Sequence, residues 1–459
     1  MQERENAAVD YAELHKDRFL DELKDYIRIA SISTDPLSKD DVYRAAQWTE
    51  QQLLNLGLQN VKIYPTDRHP IVYGENLEAG TGKPTLLIYG HYDVQPPEPL
   101  ELWESSAFEP TVRGENLFGR GTSDMKGQVI VTLKAVEALM RTGGLPINVK
   151  FLLEGEEEIG SPNLPKFIVE HKDLLKCDFA LNPDTGMIGA DIPTITYGLR
   201  GLAYFELRIW GPDHDLHSGI YGGVIHNPAI ALCELIAGMH DKDGRIALPG
   251  FYDKVRTLDE EERKQFNLLP MDDDFYLKNT GAPKLTGESG YMPVERVGAR
   301  PTLDVNGLLS GFTGQGSKTV LPMKAMAKIS MRLVPDQDPK EVHQQLLKYL
   351  EEKAPDTIKW EVEEMTGSPA SITDRNISAV KAIDKALERT WGKKPLFRRE
   401  GGSVPVVGQM QEILGVESVM TGFGLPDDNL HGPNEKIHIP SFYRGIEAIT
   451  RFLCILGED

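Results

Sequence analysis

Pro84-Thr-Leu-Leu-Ile-Tyr-Gly-His-Tyr-Asp93 is a short apolar run that stops at glycine and then turns polar. A continuous apolar run bounded by turn residues reads as a strand buried on both faces, the habit of parallel sheets. Downstream, Gln128 to Thr142 repeats its apolar residues at helical spacing, and Ile147-Asn-Val-Lys-Phe-Leu-Leu153 is a second buried strand. Upstream, a helical stretch from Val42 to Leu56 precedes another strand at Val61 to Tyr64. This alternation predicts a largely parallel sheet flanked by helices. Ligands in such sheets gather at the carboxyl ends of the strands, and the polar motifs of this chain fall there.

After Gly201 the pattern changes. Leu202 to Trp210 alternates as a strand, and Asn227 to His240 is a helix with Pro228 near its start. Lys324 to Val334 is a strand, Asp338 to Lys353 an amphipathic helix, and Thr357 to Glu364 a strand again. The β-α-β-β-α-β-like order predicts a smaller α+β, ferredoxin-like insert, with the charged, Gly/Pro-rich region from Asp241 to Arg300 as its least regular part. From Arg375 onward the first pattern returns, with a helix at Ile377 to Trp391, a loop at Glu400-Gly-Gly-Ser403 and a last helix at Ser441 to Leu456. The expected architecture is α/β with a discontinuous main domain at 1–198 and 375–459, interrupted by the insert at 199–374.

Length and composition narrow the function classes. A chain of 459 residues, 26% of them charged, fits a soluble two-domain protein. No stretch is apolar enough to span a bilayer, and the N-terminal thirty residues resemble an acidic amphipathic helix more than a secretory signal. Cytoplasmic residence is the expectation. Cys177, Cys233 and Cys454 are few and scattered, which fits a reducing compartment better than a disulfide frame. A net charge of −20 argues against nucleic acid and anionic membranes as partners.

Five side chains at the ends of strand-like runs carry the chemistry: His91, Asp124, Glu158, Asp184 and His431. Two imidazoles and three carboxylates suit a pair of divalent cations such as Zn²⁺ or Mn²⁺. In Gly90-His91-Tyr92-Asp93, the Asp is spaced to orient the His. Gly119-Arg-Gly-Thr-Ser-Asp124-Met-Lys-Gly127 surrounds one acid with glycines, and it lacks phosphate-loop spacing because Lys126 precedes Gly127. Asp124 is therefore cast as a carboxylate shared by two ions. Glu154-Gly-Glu-Glu-Glu158 clusters acids whose repulsion demands cations or retained protons. Its neighbouring members Glu157 and Glu158 can take different roles, one binding metal and the other acting as a general base on the metal-held water. Asn182-Pro-Asp184 and Asn429-Leu-His431-Gly-Pro-Asn-Glu435 complete the set on loops; each alone reads more readily as a turn than as a ligand, and their joint occurrence in this order favours a site.

Taken together these motifs resemble the co-catalytic zinc peptidases that include carnosine dipeptidases, carboxypeptidase G, aminoacylases and succinyl-diaminopimelate desuccinylase. The likeness runs across nearly the whole chain. It is strongest toward the carnosine dipeptidase branch through Tyr197-Gly-Leu-Arg-Gly201, Asp215-Leu-His-Ser-Gly-Ile-Tyr-Gly-Gly223, Ser330-Met-Arg-Leu-Val-Pro335 and Arg399-Glu-Gly-Gly-Ser403.

The resemblance implies that His91 and Asp184 hold one metal, Glu158 and His431 the other, and that Asp124 bridges them. It implies Asp93 as the orienting group for His91, Glu157 as base and then acid, and a cis peptide between Asp124 and Met125. It implies two divalent ions per subunit, Zn²⁺ ahead of Mn²⁺, and a homodimer through the insert, acting as a lid. His217 would then reach the partner's site, while Thr319, Arg332 and Ser403 hold the substrate carboxylate. The activity implied is hydrolysis of an amide bond in dipeptides or short peptides with a free C-terminus. Carnosine dipeptidases carry a His near Met365-Thr-Gly-Ser-Pro369 that this chain lacks, so carnosine itself is not implied. Removal of an N-acyl group by the same apparatus, or a binding protein that kept the fold, are the alternatives.

Overall fold

Thr85–His91 forms a strand buried from Leu86 onward, and it lies between two parallel neighbours, Asn148–Glu154 and Phe179–Asn182. In this computed structural model, which describes residues 2–458, the chain forms two units. The first runs to Tyr197 and resumes at Thr373–Arg398 and from Gln409; the second comprises Gly198–Ile372 and Arg399–Gly408.

The sheet of the first unit is ordered Gln59–Tyr64, Ile71–Asn76, Asn148–Glu154, Thr85–His91, Phe179–Asn182, Glu417–Met420, Thr194–Leu199. Its central strands, from Asn148–Glu154 to Glu417–Met420, are parallel. The outer pairings are antiparallel. Lys126–Thr142 is buried on all sides from Lys126 to Leu139, packed by the helices Gln2–Leu14 and Ile439–Leu456. Such all-round burial suits its mainly apolar composition, and the buried Lys134 and Glu137 pair with each other at 2.9 Å. Gly90 allows this helix to approach the sheet: a Cβ there would stand 2.9 Å from Val129 Cγ2 and 3.0 Å from Leu153 Cδ2. Lys39–Leu56 ends at Gly57, whose φ of 82° is the left-handed conformation that glycine adopts without steric cost.

The second unit contains a four-stranded antiparallel sheet ordered Thr302–Ser310, Lys324–Leu333, Gly201–Trp210, Lys359–Ser368. The helices Pro228–Ala237 and Pro339–Lys353 pack on it, giving the ferredoxin-like arrangement. One face is buried by strict alternation, with Phe205, Leu207, Ile209, Ala327, Ile329 and Met331 in its core. Asn227 and Asp338 begin the two helices by accepting from Ala229 N and Lys340 N, ahead of a proline in the first turn.

Two details differ from the sequence expectation. The strand Thr302–Ser310 was not anticipated: it lies at an edge of the sheet, with Val305, Leu308 and Leu309 exposed, and so lacks two-residue alternation. Arg399–Gly408, expected in the first domain, clusters with the second unit. There Arg200 Nε donates to Gly401 O at 3.1 Å and Arg332 Nη1 to Ser403 Oγ at 2.9 Å. The region from 241 to 300 holds the short helices Glu260–Asn267, Asp273–Thr280 and Pro293–Ala299.

Candidate dinuclear metal centre

His91, Glu158 and Asp184 sit at or just beyond the carboxyl ends of parallel strands. His91 is the last residue of its strand, and Glu158 lies on the turn Glu157–Ile159 that follows Asn148–Glu154. Asp184 follows Phe179–Asn182, its N–H donating to Asn182 Oδ1 at 2.8 Å. His431 lies in the loop after Glu417–Met420 with a φ of 59°. Asp124 precedes the helix Lys126–Thr142, and its bond to Met125 is cis. Gly127 is required at that turn, because a Cβ would come within 2.0 Å of Thr122 O.

These loops bring His91, Asp124 and Asp184 together as one potential metal-holding triad and Asp124, Glu158 and His431 as another, the donor atoms of each within 4.8 Å of one another. Asp124 divides its two oxygens between the imidazoles. Oδ1 is 3.1 Å from His91 Nε2 and Oδ2 is 2.9 Å from His431 Nε2. Asp184 Oδ2 lies 3.8 Å from His91 Nε2, and Glu158 Oε2 3.4 Å from His431 Nε2.

Asp93 does more than face His91. His91 Nδ1 is 3.0 Å from the Asp93 backbone oxygen and 3.5 Å from its Oδ1. The carboxylate itself accepts the N–H groups of Glu157 at 3.3 Å and Glu158 at 3.1 Å, so one side chain sets both the imidazole and the acidic turn. Gln95 Nε2 donates to Glu158 Oε2 at 2.7 Å, a contact no sequence pattern announced. Lys126, at the position that might suggest a phosphate loop, is buried and donates to Ile29 O at 2.6 Å and Tyr26 O at 3.1 Å. It anchors the turn from behind, and burial pulls its ammonium down to about 7.

Electrostatics give the reason such a cluster wants cations. Burial, reinforced by Asp124, pushes the Glu158 carboxyl up to about 9. Burial raises Glu157 well above the ordinary range too; His91 opposes this, and Asp184, Glu158 and Asp124 add to it. Burial would also raise Asp124, yet hydrogen bonds from His431 and His91 hold it below the usual carboxylate range. The hydrogen bond to Asp124 raises the His431 imidazole. Two divalent ions would replace the protons these groups retain, and the mixed nitrogen and oxygen donors suit ions of the Zn²⁺ or Mn²⁺ type.

The four remaining expected residues belong to the second unit. His217 is exposed and lies opposite Val320 in a short ladder, with Ser218 N donating to Thr319 O at 3.0 Å. Arg332 and Ser403 form the hydrogen bond already described. The structure thus gathers them as two pairs.

Residues 87–454 match the family model described as peptidase family M20/M25/M40. The chain is 30% identical to the Cys-Gly metallodipeptidase of Candida albicans over 98% of its own length and 96% of that protein. It is likewise 30% identical to the human Beta-Ala-His dipeptidase, over 98% and 92% of the two chains. Among solved structures, an M20 family metallo-carboxypeptidase from Sulfolobus solfataricus superposes with a TM-score of 0.85 at 33% identity, covering 96% of this chain and 99% of that one. Human carnosine dipeptidase 1 gives 0.81 at 29% identity, covering 99% of each. With the family model, the full-length relatives and the two-triad site in agreement, the chain belongs to the peptidase family M20/M25/M40.

Proposed function

We propose that this metallopeptidase hydrolyses dipeptides or short peptides that end in a free carboxylate, using two divalent ions held by His91, Asp124, Glu158, Asp184 and His431. The observation that carries the reading is the division of Asp124, one oxygen toward each imidazole, with Glu157 adjacent to the ligands and outside both triads. When bound, the ions lower the pKa of a shared water and polarise the scissile carbonyl. Glu157 takes the proton from the attacking water on its carboxylate and hands it to the departing amine. Burial raises the Glu157 carboxyl above its ordinary range, the direction that suits a group which must accept a proton. Asp93 keeps His91 and the Glu157–Glu158 backbone in register.

In the second unit, the planar guanidinium of Arg332, steadied by Ser403, suits a bidentate grip on the substrate carboxylate, with Thr319 assisting. His217 would polarise the carbonyl in a partner subunit's site, which requires a homodimer formed through the insert. Residues 1–198 and 375–459 then act as the catalytic domain and 199–374 as the lid and dimerisation domain. Zn²⁺ is the preferred ion and Mn²⁺ the second choice. The free Cys177, Cys233 and Cys454 support residence in the reducing cytoplasm. Among the described residues, no helix is long and apolar enough to cross a membrane.

A panel of dipeptides, N-acetyl amino acids and N-succinyl amino acids, assayed with protein loaded with Zn²⁺ or Mn²⁺, tests the substrate class. Cleavage of dipeptides is expected. Cleavage of the acyl amino acids alone would make the chain a deacylase, and inertness toward the whole panel would make it a binding protein.

A further inference from the structure

The loop that carries His431 also carries Glu435, a carboxylate with no exposed surface and no place in either metal triad. Its Oε1 accepts the N–H groups of Ser123 at 3.0 Å and Asp124 at 3.1 Å. Its Oε2 accepts Gly121 N at 2.9 Å and Arg120 Nη1 at 2.7 Å. All four partners are donors. A proton on this carboxyl would displace one of them, so the geometry calls for the anion, with buried Arg120 as its counter-charge.

Further contacts join the same two loops. Lys436–His438 pairs antiparallel with Asn116–Phe118, and Gly119 N donates to Glu435 O at 2.9 Å. Asp428 accepts Ser123 Oγ at 2.9 Å and Lys436 Nζ at 2.9 Å. Between these anchors the chain turns through Asn429, His431 and Asn434 with φ of 55°, 59° and 58°, a left-handed path that needs fixed ends.

We propose that Glu435 is a positioning residue that locks Asp124 and His431 into one unit, so that the loop supplying one metal ligand sets the orientation of the carboxylate shared by both ions. The inference rests on reading Asp124 and His431 as ligands. An anion holding the Asp124 N–H fixes the backbone from which that carboxylate projects, and it does so from four residues beyond His431 on the same loop. Partners one step behind the ligands govern metal retention in this way.

The test is Glu435→Gln, which preserves shape but offers one acceptor oxygen where two are used, so that its amide N–H₂ must face backbone donors. Glu5→Gln is the control, because Glu5 is also buried and ion-paired, to Arg389 and Arg451, on a helix remote in sequence from the metal loops. Zn²⁺ affinity is read by competition with a chromophoric chelator, alongside thermal unfolding and kcat and KM at saturating Zn²⁺. Glu435→Gln is expected to weaken Zn²⁺ binding about 10- to 100-fold and to lower kcat with KM little changed, while Glu5→Gln lowers only the melting temperature. Equal Zn²⁺ affinity in Glu435→Gln and wild type would overturn the proposal. Should Glu435→Gln not fold, Glu435→Asp gives the same reading. Failure of both to fold beside a folded Glu5→Gln would make Glu435 a fold-forming residue and also overturn it. Wild-type protein that retains no pair of ions would instead defeat the ligand assignment itself, a separate result.

Discussion

Glu157→Gln separates proton transfer from metal holding more cleanly than any other change. The side chain lies among His91, Asp124, Glu158 and Asp184, but it supplies no atom to either triad. The amide is nearly the same size and leaves the backbone N–H of residue 157 free to donate to Asp93. What it removes is the capacity to accept a proton. Loss of a positioned general base costs about 10²- to 10⁴-fold, or roughly 2.7–5.4 kcal/mol of barrier at 1.36 kcal/mol per decade. Removing one nearby negative charge slightly weakens the attraction for cations, but every donor atom of both triads stays in place, so both ions should still bind. The assay pairs metal content by mass spectrometry with steady-state kinetics on a good dipeptide substrate. The expected outcome is two ions per chain, an unchanged KM and a kcat lowered by two to four decades. A kcat within about threefold of wild type would reject Glu157 as the base, and metal lost along with turnover would make it a ligand.

Asp124→Ala should release both ions together, because each triad includes that carboxylate; retention of one full equivalent after dialysis would show that it does not bridge. The ion-free protein should lose stability as pH rises. Glu158, raised to about 9 from an ordinary 4.5, keeps in the fold a proton that the unfolded chain releases, and His91 and His431 are raised in the same sense. Thermal melts between pH 5.5 and 8.5 should therefore show a metal-induced gain that grows with pH, and a gain independent of pH would contradict those shifts. Ile329→Ala, in the core of the second unit's sheet, should cost about 2–5 kcal/mol in denaturant unfolding of that unit. A loss below about 1 kcal/mol would mean that this sheet packs loosely. Light scattering should find a dimer, and a fully active monomer would remove His217 from the mechanism.

The fold was legible where a single physical demand dominates a segment. Thr85–His91 and Asn148–Glu154 are buried on both faces, so their sequences are largely apolar without strict alternation, and Gly201–Trp210 is buried on one face and alternates. Thr302–Ser310 escaped because an exposed edge strand has no face to bury. The five candidate ligands stood out in the sequence because imidazoles and carboxylates at strand ends have few structural uses together. Gln95 and Glu435 did not, since a Gln in a loop and a Glu after Pro433-Asn434 are ordinary surface choices until the fold brings their partners to them. The acceptor role of Asp93 toward Glu157 and Glu158 was hidden for a related reason: it depends on a turn more than sixty residues away in sequence returning to the end of the neighbouring strand.

Anomalous diffraction from crystals of the Zn²⁺-loaded protein tests the central claim most directly. The account predicts two peaks, roughly 3.5–4 Å apart, one against His91 and Asp184, the other against Glu158 and His431, with Asp124 touching both. A single peak, or a pair of peaks away from these five side chains, would contradict it.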